Sequence, residues 1–270
     1  MKVIRETTVA GKTICRTIKV PSGNHGHKRK RRCAVTKPAV LKNNFRLAVK
    51  KLTIILNANF NEHSMHVTLT YKDVPTKETA KKDRATFISK MRRALKKDNK
   101  DLKYVMVTEY ENKRIHHHIV INSQDINLIN KTWNKGFVKC SALDDSGNYR
   151  KLAEYLIKET EKTFRQVDSV HKHRYSRSRN LVVPITKREV VSARELSKAP
   201  KPVKGYYIPL DEIRKYEHPV TGLEYLEYIM VADGTSKLKK SWPRGNIVKS
   251  KEYFKVTESK EVEVKDEDDK

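Results

Sequence analysis

Hydrophobic positions in this chain recur with two periods, and these divide it into strands and helices. Between residues 1 and 20 a weak alternation (Val3, Ile4; Thr13, Ile14, Cys15; Ile18, Val20) predicts a hairpin around Ala10-Gly11, broken by Pro21-Ser22-Gly23. Leu41, Phe45, Ala48, Leu52, Ile55 and Leu56 recur at helical spacing and predict an amphipathic helix over 39–57. MHVTLTYKD (65–73) reads as a strand with Val67, Leu69 and Tyr71 on one face and His66, Thr68 and Thr70 on the other. Pro75-Thr76 opens a second helix that stops near Asn99, with Ala80, Arg84, Phe87, Ile88, Met91 and Leu95 as its stripe. A short helix over 124–134, capped by Ser123 or Asp125, has Ile126, Ile129 and Trp133 as its core side. A strand over 136–140 and a clear helix over 149–163 follow. NLVVPI (180–185) reads as an edge strand ended by proline, and 186–204, charged and holding Pro200 and Pro202, as a linker. Strand-like pieces at 206–209 and 223–231 flank a turn at Pro219–Gly222.

The segment between the second and third helices, YVMVTEYENKRIHHHIVIN (104–122), adds chemistry to this pattern. It reads as two strands joined by a turn at Asn112-Lys113. That register sets Glu111 against Arg114, Glu109 against His116 and Val107 against His118, and directly opposed residues share a face. Alternation turns His116 and His118 the same way and His117 the other, onto the side of Ile115, Ile119 and Ile121. Glu109, His116 and His118 therefore converge as half a coordination sphere for a divalent cation. Two further His-x-His pairs, His25/His27 and His171/His173, sit in basic runs without strand character and are not read as metal sites. His63 and His66 carry no assigned role.

Composition narrows the partner. Basic residues outnumber acidic ones 59 to 32 among 270, a formal charge of +27, which favours a polyanion and first of all nucleic acid. No apolar run long enough to span a membrane occurs, and MKVIRETTVAGKTICRTIKV lacks the apolar core of a secretory signal, so a cytoplasmic protein with no membrane partner is expected. Cys15, Cys33 and Cys140, odd in number and without a CxxC, read as reduced thiols. GNHGHKRKRR (23–32), with Arg29 and Arg31, reads as an arm that grips phosphates. The tail 256–270 holds seven carboxylates against three lysines and reads as disordered.

A metal-assisted phosphoryl transfer needs a nucleophile, either activated water or a side chain that forms a covalent intermediate. Tyr155 is the side-chain candidate. It lies on the helix over 149–163 with Lys151 and Lys158 a turn to either side, and nearby ammonium groups would favour phenolate and bind phosphate. Leu152, Leu156 and Glu159 lie along another side of that helix.

In order along the chain, HVTLTYKD (66–73), RIHHHIVI (114–121) and EYLIK (154–158) resemble the motifs of the HUH endonucleases, specifically the rolling-circle replication initiator (Rep) proteins of bacterial plasmids and phages. HRYSRSRNL (173–181) is similar to the segment that follows the tyrosine helix in related initiators. The resemblance covers about 40–185. It implies an α+β fold: a central antiparallel sheet in a ferredoxin-like or RRM-like arrangement, the histidine pair on a central strand, helices on its faces, and a small C-terminal extension. It also implies attack by Tyr155 on single-stranded or extruded origin DNA. The products would be a 5′-phosphotyrosine link and a free 3′-OH for a host polymerase, with unwinding by a host helicase and later strand joining. Glu109 is carried over as the third ligand of a Mg²⁺ or Mn²⁺ ion, and Lys158 as the helper beside the tyrosine. Lys151, Arg174, Arg177, Arg179, Arg29 and Arg31 are the expected nucleic-acid contacts. The chain departs from the family at His117, which is polar where an apolar residue is usual, at His66, and in the missing glycine of the turn.

The expected organisation is a basic N-terminal arm (1–38), a nicking domain (39–185), an accessory region (186–255) and the acidic tail (256–270). A relaxase or transposase of the same superfamily, or a non-catalytic DNA-binding protein that keeps the fold, are the alternatives.

Overall fold

A computed structural model describes residues 2–21, 37–110, 114–161 and 173–235. Two antiparallel sheets share one long helix. The first sheet has five strands in the order β6-β3-β5-β4-β7. These are β3 (Met65–Thr70), β4 (Tyr104–Glu109), β5 (His116–Ile121), β6 (Val138–Ala142) and β7 (Ser176–Arg177). The histidine strand β5 is central, as the resemblance implies.

Both faces of this sheet are covered, and alternation divides its side chains between two cores. On one face Val67 and Leu69 of β3 and Tyr71 just beyond it, with Ile119 and Ile121 of β5, pack against Phe87 and Met91 of α2 (Lys77–Lys97) and Ile129 of α3 (Ile126–Thr132). On the other, Val105 and Val107 of β4 and Val120 of β5 meet Leu52 and Leu56 of α1 (Pro38–Asn59) and Leu156 and Ile157 of α4 (Arg150–Glu159). The caps follow sequence logic. The Thr76 side chain accepts from the Thr79 N–H at the start of α2, and Asp125 accepts from Leu128 at the start of α3.

The second sheet runs β10-β11-β2-β1-β8, with β9 paired to β11. Its strands are β1 (Val3–Ala10), β2 (Thr13–Lys19), β8 (Thr186–Val191), β9 (Tyr206–Tyr207), β10 (Arg214–Glu217) and β11 (Glu224–Ala232). The predicted hairpin at Ala10-Gly11 is present, and it lies between β11 and β8. One side of this sheet is closed by Leu196 of the short helix α5 (Arg194–Ser197), together with Ile14, Ile18 and Met230. The other side rests on α1. There Lys50 Nζ lies 3.1 Å from Glu227 Oε1, and Asn57 Nδ2 donates to Thr13 Oγ1 at 2.9 Å. Asn57 Oδ1 accepts from the Tyr149 N–H at 2.9 Å, which ties the hairpin, α1 and the start of α4 together. Gly11 closes the hairpin with φ +55°, and a Cβ there would sit 2.0 Å from the Asn57 carbonyl oxygen, so only glycine fits.

Some expected elements differ. Residues 180–185 form no strand. The strand begins at Thr186, inside the span read as a linker, and it pairs with β1. Its sequence, TKREVV, hides the strand because its side is mostly exposed and stabilised by cross-strand partners rather than apolar burial. Arg5 Nη2 reaches Glu189 Oε2 at 2.8 Å, Arg188 Nε reaches Glu6 Oε1 at 3.1 Å, and the Thr8 and Thr186 hydroxyls meet at 2.8 Å. Strand β10 is hidden for the same reason. Ile126, assigned to the core side of α3, is 46% exposed, while Ile129 and Trp133 are buried. Cys15 and Cys140 are free thiols, and Cys33 lies outside the described residues.

Candidate metal centre and nucleophile

Strands β4 and β5 pair in the expected register, with Glu109 opposite His116 and Val107 opposite His118. The turn that suggests this register, with Glu111, Asn112 and Lys113, lies outside the described residues. His116 Nε2 stands 3.0 Å from Glu109 Oε2, and its Nδ1 lies 2.9 Å from the Arg114 carbonyl oxygen. A carbonyl only accepts, so Nδ1 carries a proton and Nε2 is the nitrogen aimed at the carboxylate. A nitrogen and a carboxylate so placed call for a cation between them, a proton or a metal ion.

Helix α4 crosses this face and contributes two side chains. One is Tyr155, whose hydroxyl lies 3.2 Å from His118 Nε2, with the rings edge to face at 5.2 Å. The other is Glu159, one helical turn further on. Ligand atoms of Glu109, His116, His118 and Glu159 all lie within 4.8 Å of one another. Two imidazoles and two carboxylates suit a hard-to-borderline divalent cation such as Mg²⁺, Mn²⁺ or Zn²⁺. Ligands about 2.1 Å from a shared ion stand at most about 4.2 Å apart, so the cluster needs to close by roughly half an ångström.

The helical wheel sets Glu159 on the Leu152 and Leu156 side of the helix. It sits at the edge of that side, and its i, i+4 relation to Tyr155 is the signal that could have found it.

His66, without a role in the sequence reading, lies beneath the site. Its Nε2 is 3.3 Å from His118 Nδ1, and Thr68 Oγ1 is 3.2 Å from the same nitrogen. These contacts fix the His118 ring so that Nε2 faces the cluster. Burial, with Lys139 nearby, pulls His66 down to about 4, so it is neutral at neutral pH.

His117 faces the opposite core. It is fully buried, its Nε2 lies 2.9 Å from the Tyr71 hydroxyl and its Nδ1 2.8 Å from Thr108 Oγ1. It therefore stands outside the cluster.

The charge around Tyr155 is opposite to expectation. Burial, then Glu159 and Glu109, push its hydroxyl above the usual tyrosine value. The flanking lysines do not offset this: Lys158 is exposed, and Lys151, 89% exposed, pairs with Asp211 at 3.1 Å. Long, flexible side chains a turn away point to water rather than at the phenol.

The expected nucleic-acid contacts among the described residues lie on several elements. Arg174 pairs with Glu161 and has only 11% of its side chain exposed. Arg177 is exposed on β7, opposite Val105 at the far end of β4 from Glu109, and Arg179 is exposed just beyond it. Arg29 and Arg31 lie outside the described residues. Among the described residues no helix is long and apolar enough to cross a membrane.

No curated protein and no solved structure matches this chain. Residues 64–164 match the profile of a family described as replication-associated protein. That span is similar to the family over β3, α2, β4, β5, α3, β6 and α4, and it holds His66, Glu109, His116, His118, Tyr155 and Glu159.

Proposed function

We propose that this chain is a replication initiator that nicks single-stranded or extruded origin DNA through Tyr155. The observation that carries the reading is the Tyr155 hydroxyl placed 3.2 Å from His118 at the edge of the Glu109, His116, His118 and Glu159 cluster. The family match over the same residues supports a role in replication. In the reaction, Tyr155 Oη forms a bond to phosphorus as the bond to the 3′ oxygen breaks, and the hydroxyl proton is balanced by the proton gained at the 3′-OH. Reversal, with a 3′-OH attacking the phosphotyrosine, joins strands.

A divalent cation held by the four clustered residues would polarise a phosphoryl oxygen and offset charge that builds during displacement. The remaining work falls to the chain itself. The Arg114 carbonyl and the Thr68/His66 pair orient the two imidazoles, and α4, seated by Leu156 and Ile157, fixes the tyrosine. Exposed Lys158, one helical turn from Tyr155, would meet a phosphate of the strand.

The test incubates the protein and Mg²⁺ or Mn²⁺ with single-stranded oligonucleotides tiling the DNA around its coding sequence. A covalent protein–DNA adduct is expected, lost in Tyr155→Phe and on chelation. An adduct that survives Tyr155→Phe refutes the assignment. A protein that binds the strands but never forms an adduct is the non-catalytic alternative.

A further inference from the structure

The face that carries the cluster continues across the sheet to the edge strand β6. Directly opposed residues in antiparallel strands share a face. Glu109 opposes His116, and His116 opposes Thr70. One step past the Leu69–Val138 pair, Thr70 comes opposite Phe137, whose carbonyl accepts from the Thr70 N–H at 2.9 Å. Glu109, His116, Thr70 and Phe137 therefore form one row. The next row is His118, Thr68 and Lys139. The alternate residues of β6, Val138 and Cys140, pack into the opposite core.

This end of the face is open. Phe137 is 71% exposed, Lys139 and Ser141 are exposed, and Lys139 is close enough to His66 to act on its charge. At about 4.8 Å per strand, Phe137 stands roughly 10 Å from His116.

The backbone beneath Phe137 is pinned. Thr70 Oγ1 also donates to the Phe137 carbonyl at 2.9 Å, and the Lys72 N–H donates to the Lys135 carbonyl at 2.9 Å. Trp133 Nε1 donates to the Thr70 carbonyl at 2.8 Å. A Cβ on Gly136 would lie 2.4 Å from that same oxygen, so glycine lets the segment close on β3. A large apolar ring on a fixed backbone is thus held out in water beside the candidate centre, with a cation two residues along. That pairing suits a single strand, whose bases stack on aromatic rings while its phosphates meet basic side chains.

We propose that Phe137 is a base-stacking platform and Lys139 a phosphate contact for the single strand that reaches the cluster. A base flanking the scissile phosphate then rests over β6. This rests on the nicking reading for what the strand does there. Phe137 is a positioning residue and makes no contact with the reacting atoms. Every base has a π face, so the platform tolerates sequence.

The test measures binding of the full chain to a labelled single-stranded oligonucleotide of mixed sequence and to its duplex. Phe137→Ala is expected to weaken single-strand binding roughly tenfold to a hundredfold and to leave duplex binding unchanged. Lys139→Gln lowers the salt slope of single-strand binding by about 0.7. Phe137→Trp keeps the affinity, and its added indole emission is quenched by the strand. Single-strand binding by Phe137→Ala equal to wild type, or Phe137→Trp emission unchanged at saturation, overturns the proposal. Unchanged affinity with a normal adduct overturns the platform alone. Lost affinity in Phe137→Ala, where the wild type forms no adduct with any of the tiled oligonucleotides, supports the platform and refutes nicking.

Discussion

Glu159→Gln tests the fourth corner of the cluster. Glu109 and Glu159 offer oxygens within 4.8 Å of each other. Two unit charges at that distance repel by about 3.5 kcal/mol at an effective dielectric of 20, and less where solvent screens the half-exposed Glu159. A divalent cation converts this repulsion into attraction, so it should bind and stabilise the fold. At a hundred times its dissociation constant it adds about 2.7 kcal/mol. For a chain of this size, at about 2–4 °C per kcal/mol, that is a rise of about 5–11 °C in melting temperature. Removing one carboxylate is expected to weaken binding at least tenfold, which takes away about 1.4 kcal/mol and about halves the rise at the same metal concentration. The assay is thermal unfolding of metal-stripped protein across a Mn²⁺ or Mg²⁺ titration, for wild type, Glu159→Gln and Glu109→Gln. A wild type that shows no cation-dependent rise, or a Glu159→Gln that keeps the full rise, would refute the four-ligand assignment.

Other outcomes follow from the packing. Tyr71→Phe removes the buried contact to His117 Nε2 at 2.9 Å and should cost about 1–2 kcal/mol in denaturant unfolding, with the metal-dependent rise intact. A loss of that rise would place His117 in the metal site. Glu227 joins α1 to the second sheet. Burial raises its carboxyl, but Lys50 and Arg46 outweigh this and bring it below the ordinary 4.5. A lowered folded value means that its stabilisation is complete above about 4.5 and lost as pH falls through the folded value. Glu227→Gln should therefore lower stability at neutral pH and flatten the acid limb of the stability–pH curve. An unchanged acid limb counts against this network.

What the sequence reveals and what it hides divide along physical lines. Glu109, His116 and His118 are legible because strand alternation and one register suffice to bring them together. Glu159 and His66 sit on α4 and β3, so their approach depends on how those elements pack, which no local period encodes. For His66 the face is right, with Thr68 and Thr70, but the pairing of β3 with β5 is needed to set it beside His118. The helical wheel puts Lys151 and Lys158 near Tyr155, yet a wheel places Cα atoms and says little about the ends of long side chains. Strand β8 is illegible because apolar periodicity cannot report a strand held by ladder bonds and ion pairs.

Because β1 and β2 lie between β8 and β11, the outer edges of this hairpin find partners only among the last described strands. Thr17 and Glu227, hydrogen-bonded at 3.3 Å, are 210 residues apart. During synthesis the hairpin emerges long before those partners and keeps both edges bare until β8 has left the ribosome, and the β2 edge bare until β11 has followed. Closing so long a loop adds only a modest entropy cost, but it delays the protection of those edges. The five-stranded sheet, whose strands lie nearer one another in sequence, can form in that interval. A nascent chain arrested before Thr186 would thus hold the candidate nicking centre together with an unpaired hairpin, a species prone to capture by any other exposed strand.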